Sequence, residues 1–144
     1  MSKPKTIIGR AEKVDFPVGK VFEVPAKIDT GAYRSSVWAT DITEKDGELN
    51  YTLLGPDSEH YSGTVVSTDS YEIVEVENSF GHSEKRYSIM MSIRLHGRRV
   101  RTNVTLSDRS TKTYPVLIGR KLLRGKFIVD VSKGNPLPDE EKES

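Results

Sequence analysis

The sequence predicts an all-β domain, a barrel or a sandwich, on three observations. Apolar and polar residues alternate along several short runs, those runs are rich in β-branched and aromatic residues, and turn-forming residues separate them. At 144 residues the chain suits one domain, because halving it would leave two marginal cores. Taken in order, Val24, Ala26 and Ile28 alternate ahead of Asp29, and residues 49–54 and 71–76 are further short strands. Residues 86–95 show the clearest pattern, with Tyr87, Ile89, Met91, Ile93 and Leu95 on one face and Arg86, Ser88, Met90, Ser92 and Arg94 on the other. A His96-Gly97 turn leads into Val100, Thr102, Val104 and Leu106, which makes a hairpin. Residues 116–118 read as a strand buried on both faces. Helical character is confined to residues 120–124, stopped by Gly125, and five residues make one turn rather than an independent helix. From Gly134 onward, prolines and then a charged run cannot bury enough surface to order themselves, so 138–144 is expected to be a disordered acidic tail after a domain spanning 1–137.

Composition removes several function classes. The chain has no cysteine, which excludes disulfides, thiolate zinc sites, iron–sulfur ligation and a cysteine nucleophile. No run is apolar enough to span a membrane, and the first twenty residues, with Pro4, Asp15 and Pro17, lack the apolar middle of a secretory signal. A cytoplasmic protein without a membrane role is the expectation. A net charge of +1 gives no global argument for nucleic acid. The distribution is uneven, however. Residues 41–84 hold eleven acidic side chains and one basic one, whereas residues 94–126 hold ten basic side chains and one acidic one. Either strands of the two segments are neighbours with complementary charge, or the basic segment forms a groove for an acidic ligand.

Two segments carry candidate chemistry. In Ala26-Lys27-Ile28-Asp29-Thr30-Gly31-Ala32 a single carboxylate ends an apolar strand and is followed by three small residues. Glycine there permits a tight turn that aims backbone N–H groups at the carboxylate, although an ordinary Asx turn would use the same residues. The second segment, Tyr114-Pro115-Val116-Leu117-Ile118-Gly119-Arg120-Lys121-Leu122-Leu123, is a short strand, a glycine where two chain segments can cross closely, and one helical turn.

Together these segments resemble the retropepsin-like aspartic proteases, in which an Asp-Thr-Gly-Ala loop precedes an Ile-Ile-Gly-Arg-Asn-Leu-Leu-like segment. With Ser35-Ser36, Leu106-Ser107-Asp108-Arg109 and Phe127-Ile128-Val129-Asp130 added, the chain is similar to small prokaryotic members of that group. Those members have also been labelled ATP-dependent zinc proteases, and some are associated with RimK-type ATP-grasp glutamate ligases. The resemblance covers about residues 21–131. It implies a closed acid-protease barrel and a homodimer, because each chain supplies one catalytic loop. The two Asp29 carboxylates would lie about 3 Å apart, too close for both to ionise, and would share a proton while activating water toward a peptide bond. Thr30 would lock the loops across the axis, Gly31 would permit close approach, and Ala32 would shape the substrate floor. Gly119 and Arg120 would be structural. No cofactor is implied. A peptide or protein is the substrate, and the basic segment suggests an acidic or glutamate-extended one. An ATP-grasp ligase is a possible partner, and a non-catalytic partner of such a ligase or a metal-dependent peptidase are the alternatives.

A flap is expected from residues 71–77 and 84–95, with Phe80 and Gly81 at its tip over the substrate. Other residues have plainer readings. His60, His82 and His96 lack metal-ligand spacing. Ser35 and Ser36 lack a nucleophile elbow and are expected to bond nearby backbone. Trp38 reads as core, and Gly9-Arg10 lacks the further glycines of a phosphate loop. Asp108-Arg109 reads as a turn with an ion pair, and Asp130 as a carboxylate near the dimer seam.

Overall fold

A computed structural model of the protein describes residues 4–77 and 80–134. The expected tail at 138–144, and Asn78 and Ser79 of the expected flap turn, lie outside the described residues. The strands are β1 (Thr6–Ile8), β2 (Ala11–Phe16), β3 (Val21–Ile28), β4 (Ser35–Lys45), β5 (Glu48–Leu53), β6 (Val65–Thr68), β7 (Glu72–Glu77), β8 (Ser83–Leu95), β9 (Arg98–Ser107), β10 (Val116–Ile118) and β11 (Phe127–Val129). One helical turn, α1 (Arg120–Leu123), follows β10, and a 3-10 turn at Pro17–Gly19 joins β2 to β3.

The main sheet closes on itself through β10, β3, β2, β8, β9 and β4, because β10 pairs with β3 on one side and β4 on the other. Strands β5 and β6 extend it beyond β4, β7 pairs with β8, and β1 and β11 form a separate parallel pair. The protein is thus mostly β, but a ring rather than the clean closed barrel expected. Its members are too unequal to share one stagger: β10 has 3 residues and β8 has 13.

The alternation read in β8 and β9 is realised. Ile89, Met91, Ile93 and Leu95 are buried, and so are Val100, Thr102, Val104 and Leu106. His96 and Gly97 both have positive φ, 50° and 73°, which gives the hairpin a turn whose twist matches its strands. Ser88, on the face read as polar, is also buried, as are Thr105 and Ser107 of β9. Ser36 Oγ lies 3.0 Å from Thr105 Oγ1 and 2.9 Å from Ser107 Oγ, so these hydroxyls satisfy one another away from water. The charge halves do not simply neutralise each other. Glu75 of β7 faces Lys85, which lies outside the basic segment, and within that segment Arg94 faces Arg99 across the β8–β9 ladder. Arg94, Arg99 and Arg101 have no ion-pair partner among the described residues.

Strand β10 is the element that positions the site. It runs parallel to β3, with Val116, Leu117 and Ile118 opposite Ala26, Lys27 and Ile28, and antiparallel to β4, with Leu117 opposite Ser36. It therefore threads between the two strands that the 29–34 loop connects. Where β10 leaves the sheet, Gly119 passes so close to that loop that a Cβ would lie 2.4 Å from the Arg34 carbonyl oxygen and 2.7 Å from that of Tyr33. Both are backbone atoms and cannot rotate away. The Gly119 N–H donates to Ser35 Oγ at 3.0 Å.

Gly119→Ala should therefore cost about 3 kcal/mol of unfolding free energy in urea titration. An alanine variant as stable as the parent would show that the crossing is looser than described.

Candidate active site

Asp29 stands at the end of β3, where its backbone N–H donates to the Ile118 carbonyl at 2.8 Å and so continues the β3–β10 ladder by one bond. The chain then turns. Gly31 N–H donates to Asp29 Oδ1 at 2.9 Å, and Ala32 N–H donates to the Asp29 carbonyl at 3.2 Å. This is an Asx turn: one carboxylate oxygen is fixed by the loop's own backbone, and Oδ2 has no hydrogen-bond partner among the described residues. Asp29 and Ala32 are half-buried, whereas Thr30 and Gly31 are exposed.

The helical turn after β10 braces the loop from below. Arg120 N–H donates to the Ala32 carbonyl at 2.8 Å, and Lys121 N–H to that of Tyr33 at 3.0 Å. The Arg120 guanidinium donates to the Thr30 carbonyl at 3.1 Å and stands 5.9 Å from the centre of the Tyr33 ring. The structure thus brings Asp29, Thr30, Gly31, Ala32, Gly119 and Arg120 into one unit. A groove of about 680 Å³ opens beside it, lined by Thr30, Tyr33, Arg120, Leu123, Phe127 and Val129.

Phe80 and Gly81 lie apart from this unit, at the end of the β7–β8 hairpin. Phe80 is 84% exposed, and Gly81 takes the positive φ of 79° that its turn requires. The root of the hairpin is tied to β4. Tyr71 and Tyr87 pack edge to face at 5.8 Å and both donate to the Glu44 carboxylate. That bond, burial and the Glu44 charge push the Tyr71 phenol up to about 12.

Two of the plainer readings need correction. Asp108 does not pair with Arg109; its Oδ1 accepts the Ser110 N–H at 3.0 Å, and this capping, with the Ser110 hydroxyl, holds its carboxyl below the usual range. Arg109 turns elsewhere and donates from Nε to the Tyr114 carbonyl at 2.9 Å. Burial draws its guanidinium below the ordinary value, the Arg86 charge adds to that, and the Asp29 carboxylate opposes it, so both charges lie within electrostatic reach. Arg109 is the residue of this neighbourhood that the sequence reading assigned to a turn rather than to the site. Its signal was its place in the Leu106-Ser107-Asp108-Arg109 segment that carries the resemblance. The second correction concerns Ser35 and Ser36: Ser35 bonds backbone, but Ser36 mainly joins the buried hydroxyl cluster.

Trp38 is half-buried against the core. Asp130, just after β11, accepts from the Ser132 hydroxyl and N–H, which hold its carboxyl low. Gly9 is a second close crossing rather than a phosphate loop, since a Cβ there would lie 2.2 Å from Lys133 and Gly134 backbone. The histidines are dispersed. His60 meets the Phe22 carbonyl, His96 meets Glu12 at 2.8 Å, and His82 follows Gly81 just ahead of β8. No group of three or more His, Asp or Glu among the described residues is placed to hold a metal.

Comparison with known proteins adds a family to this geometry. The RimB-like family model, described as retropepsin-like aspartic endopeptidase RimB, matches residues 7–136. The chain belongs to that family. Among curated proteins, a "Probable alpha-L-glutamate ligase" of Shewanella pealeana is 32% identical over 138 residues, covering 92% of this chain and 30% of the relative. A protein of the same name from Shewanella halifaxensis is 31% identical over 137 residues, covering 92% and 30%. The chain thus spans 30% of the length of these curated relatives. The crystal structure of Lpg0085 from Legionella pneumophila, a protein described as of unknown function, superposes with a TM-score of 0.67 at 27% identity, covering 90% of this chain and 96% of that one.

Arg120→Met should loosen the loop of this RimB-like chain. The Gly31 amide should exchange with solvent about tenfold faster, for a loss of about 1 kcal/mol in stability. Unchanged exchange would mean that the side chain does not brace the loop.

Proposed function

We propose that the protein is a homodimeric aspartic endopeptidase in which each subunit contributes Asp29. The observation that carries this reading is the Asp29 turn itself. One carboxylate oxygen is held by the Gly31 N–H, the other is without a hydrogen-bond partner among the described residues, and the loop is braced on a threaded strand beneath it. One such loop per chain calls for a second subunit. The groove beside Thr30 and Tyr33 supports a seam there, with Tyr33 50% exposed at its rim. Family membership agrees with this chemistry.

In the dimer the two carboxylates share one proton. The ionised one accepts a proton from a water molecule as its oxygen attacks the scissile carbonyl carbon. The protonated one gives its proton to the carbonyl oxygen. The resulting gem-diol collapses as a hydroxyl proton returns to the dyad and the amide nitrogen is protonated, breaking the C–N bond to a carboxylic acid and an amine. The apparent pKa values of such a centre belong to the pair. The substrate is an acidic or glutamate-extended peptide segment, a reading supported by the concentration of basic side chains in residues 94–126. A chain without cysteine suits a cytoplasmic setting.

The ligase-named relatives favour one second reading, in which this domain serves a glutamate ligase as a binding or regulatory module. Asp29→Asn separates the two. It keeps the shape of the turn and removes the proton-sharing chemistry. The peptidase reading expects cleavage of a peptide library to fall about a thousandfold or more while sedimentation still reports a dimer. Retained cleavage, or a strict monomer at micromolar concentration, would overturn it.

A further inference from the structure

We propose that the groove between the flap strand β8 and the edge strand β6 takes an extended acidic segment of a partner protein, which adds to the sheet as a further strand. The inference stands apart from the peptidase reading, because no residue lining this groove belongs to the Asp29 unit.

The backbone supplies the first observation. One edge of β8 is covered by β9, and the other pairs with β7 from Ser83 to Ser88 and with β2 at Arg94 and Leu95. Among the described residues no strand covers Ile89 to Ile93 on that second edge. Residues flanking a two-residue hairpin turn exchange both hydrogen bonds, and the pattern then alternates, so Leu95, Ile93, Met91 and Ile89 bond to β9. Arg94, Ser92 and Met90 turn their N–H and C=O groups the other way. Those of Arg94 meet β2, whereas those of Ser92 and Met90 meet no strand. Strand β6 ends the sheet path, paired with β5 on one edge only. Both bare edges border one groove of about 480 Å³, with Met90 and Ser92 on one wall and Val66 and Ser67 on the other. An extended segment entering it finds main-chain partners ready to continue the ladder.

Side chains select the occupant. Arg99 stands directly opposite Arg94, and Arg101, two residues on, stands opposite Ser92, so three guanidinium groups share one face at neighbouring positions. Like charges so placed repel one another. Arg99 and Arg101 line the groove, and no carboxylate does. Asp15 pairs with Arg94 across the β2 ladder, but its Oδ1 accepts the Glu23 N–H and it forms no ion pair with Arg94 among the described residues. Exposed Met90 and Val18 add apolar surface to the groove. On its core side the groove is walled by Tyr51, Val66, Ile89 and Met91. An added strand with acidic residues at every second position would set its carboxylates on the arginine face and its apolar residues against those four side chains. A nucleic acid would use neither the bare strand edges nor this wall, whose one ring, Tyr51, is buried and offers no face for a base.

The probe is a fluorescein-labelled Glu-Val-Glu-Val-Glu-Val peptide, with a glutamine-for-glutamate control, read by fluorescence anisotropy against the Asp29→Asn protein so that no cleavage intervenes. The glutamate peptide should bind about tenfold tighter than the control, and adding Arg99→Gln with Arg101→Gln, both at exposed positions, should bring the two toward equality. Backbone pairing has its own signature. N-methylating one alternate set of the probe's amides should weaken binding about tenfold or more, and N-methylating the other set should change it little, because successive N–H groups of a strand point to opposite edges. A preference that survives the arginine substitutions would put the peptide elsewhere, the Asp29 groove included, and would overturn the proposal. Two N-methyl patterns of equal effect would reduce the contact to charge alone and overturn the added strand. Oligouridylate that displaces the peptide at equal concentration would give the groove to RNA, and a change in the protein's own sedimentation on the arginine substitutions would give it to a second copy; either result contradicts the assignment.

Discussion

The absence of a side chain at Gly119 is the constraint on which the rest of the structure depends. Strand β10 can run between β3 and β4 only if the chain leaves it directly beneath the carbonyls of Tyr33 and Arg34. That passage lets Ile118 accept the Asp29 N–H, lets Ser35 accept the Gly119 N–H, and delivers Arg120 to the underside of the turn. Carboxylate placement is thus decided by backbone hydrogen bonds to a threaded strand. The loop that carries Asp29 is anchored at both ends and in the middle, a degree of preorganisation that chemistry at a single carboxylate oxygen requires.

A second layer of the design is polar burial. Ser36, Thr105 and Ser107 occupy positions where a sheet closed around a core could have used aliphatic residues, and their mutual hydrogen bonds make that burial tolerable. The core lies on the opposite face, filled by residues such as Val37, Val104, Leu106 and Ile118. One sheet therefore separates an apolar interior from a polar floor that adjoins the Asp29 turn.

How far the sequence disclosed this depends on the type of signal. Strands β8 and β9 were legible because their alternation is unbroken, β10 because three consecutive apolar residues stand between Pro115 and Gly119, and the crossing at Gly119 and the turn at Asp29 because few residue types fit such backbone geometry. Strand β2 was not, since Glu12, Lys13 and Asp15 mask its inward residues and a bulge between Val14 and Phe16 breaks the period of two. Strands β1 and β11 have three residues each, too few to show any period. The ring closure was not legible in local pattern at all, because it depends on pairings between segments as distant as Ala26 and Val116. At the site, Arg109 was hidden by its neighbour: an Asp-Arg pair invites an ion-pair reading, yet Asp108 is occupied by Ser110 and Arg109 by Tyr114.

The central claim is that a single centre draws one carboxylate from each of two chains. Mixing the parent with Asp29→Asn at equal concentrations and allowing subunits to exchange measures this most directly. If every active centre needs Asp29 from both subunits, random pairing leaves about one quarter of the dimers active, and peptide cleavage should fall to that fraction of the undiluted parent rate. A fall to about one half, in simple proportion to the parent chains present, would mean that each subunit works alone and would contradict the account.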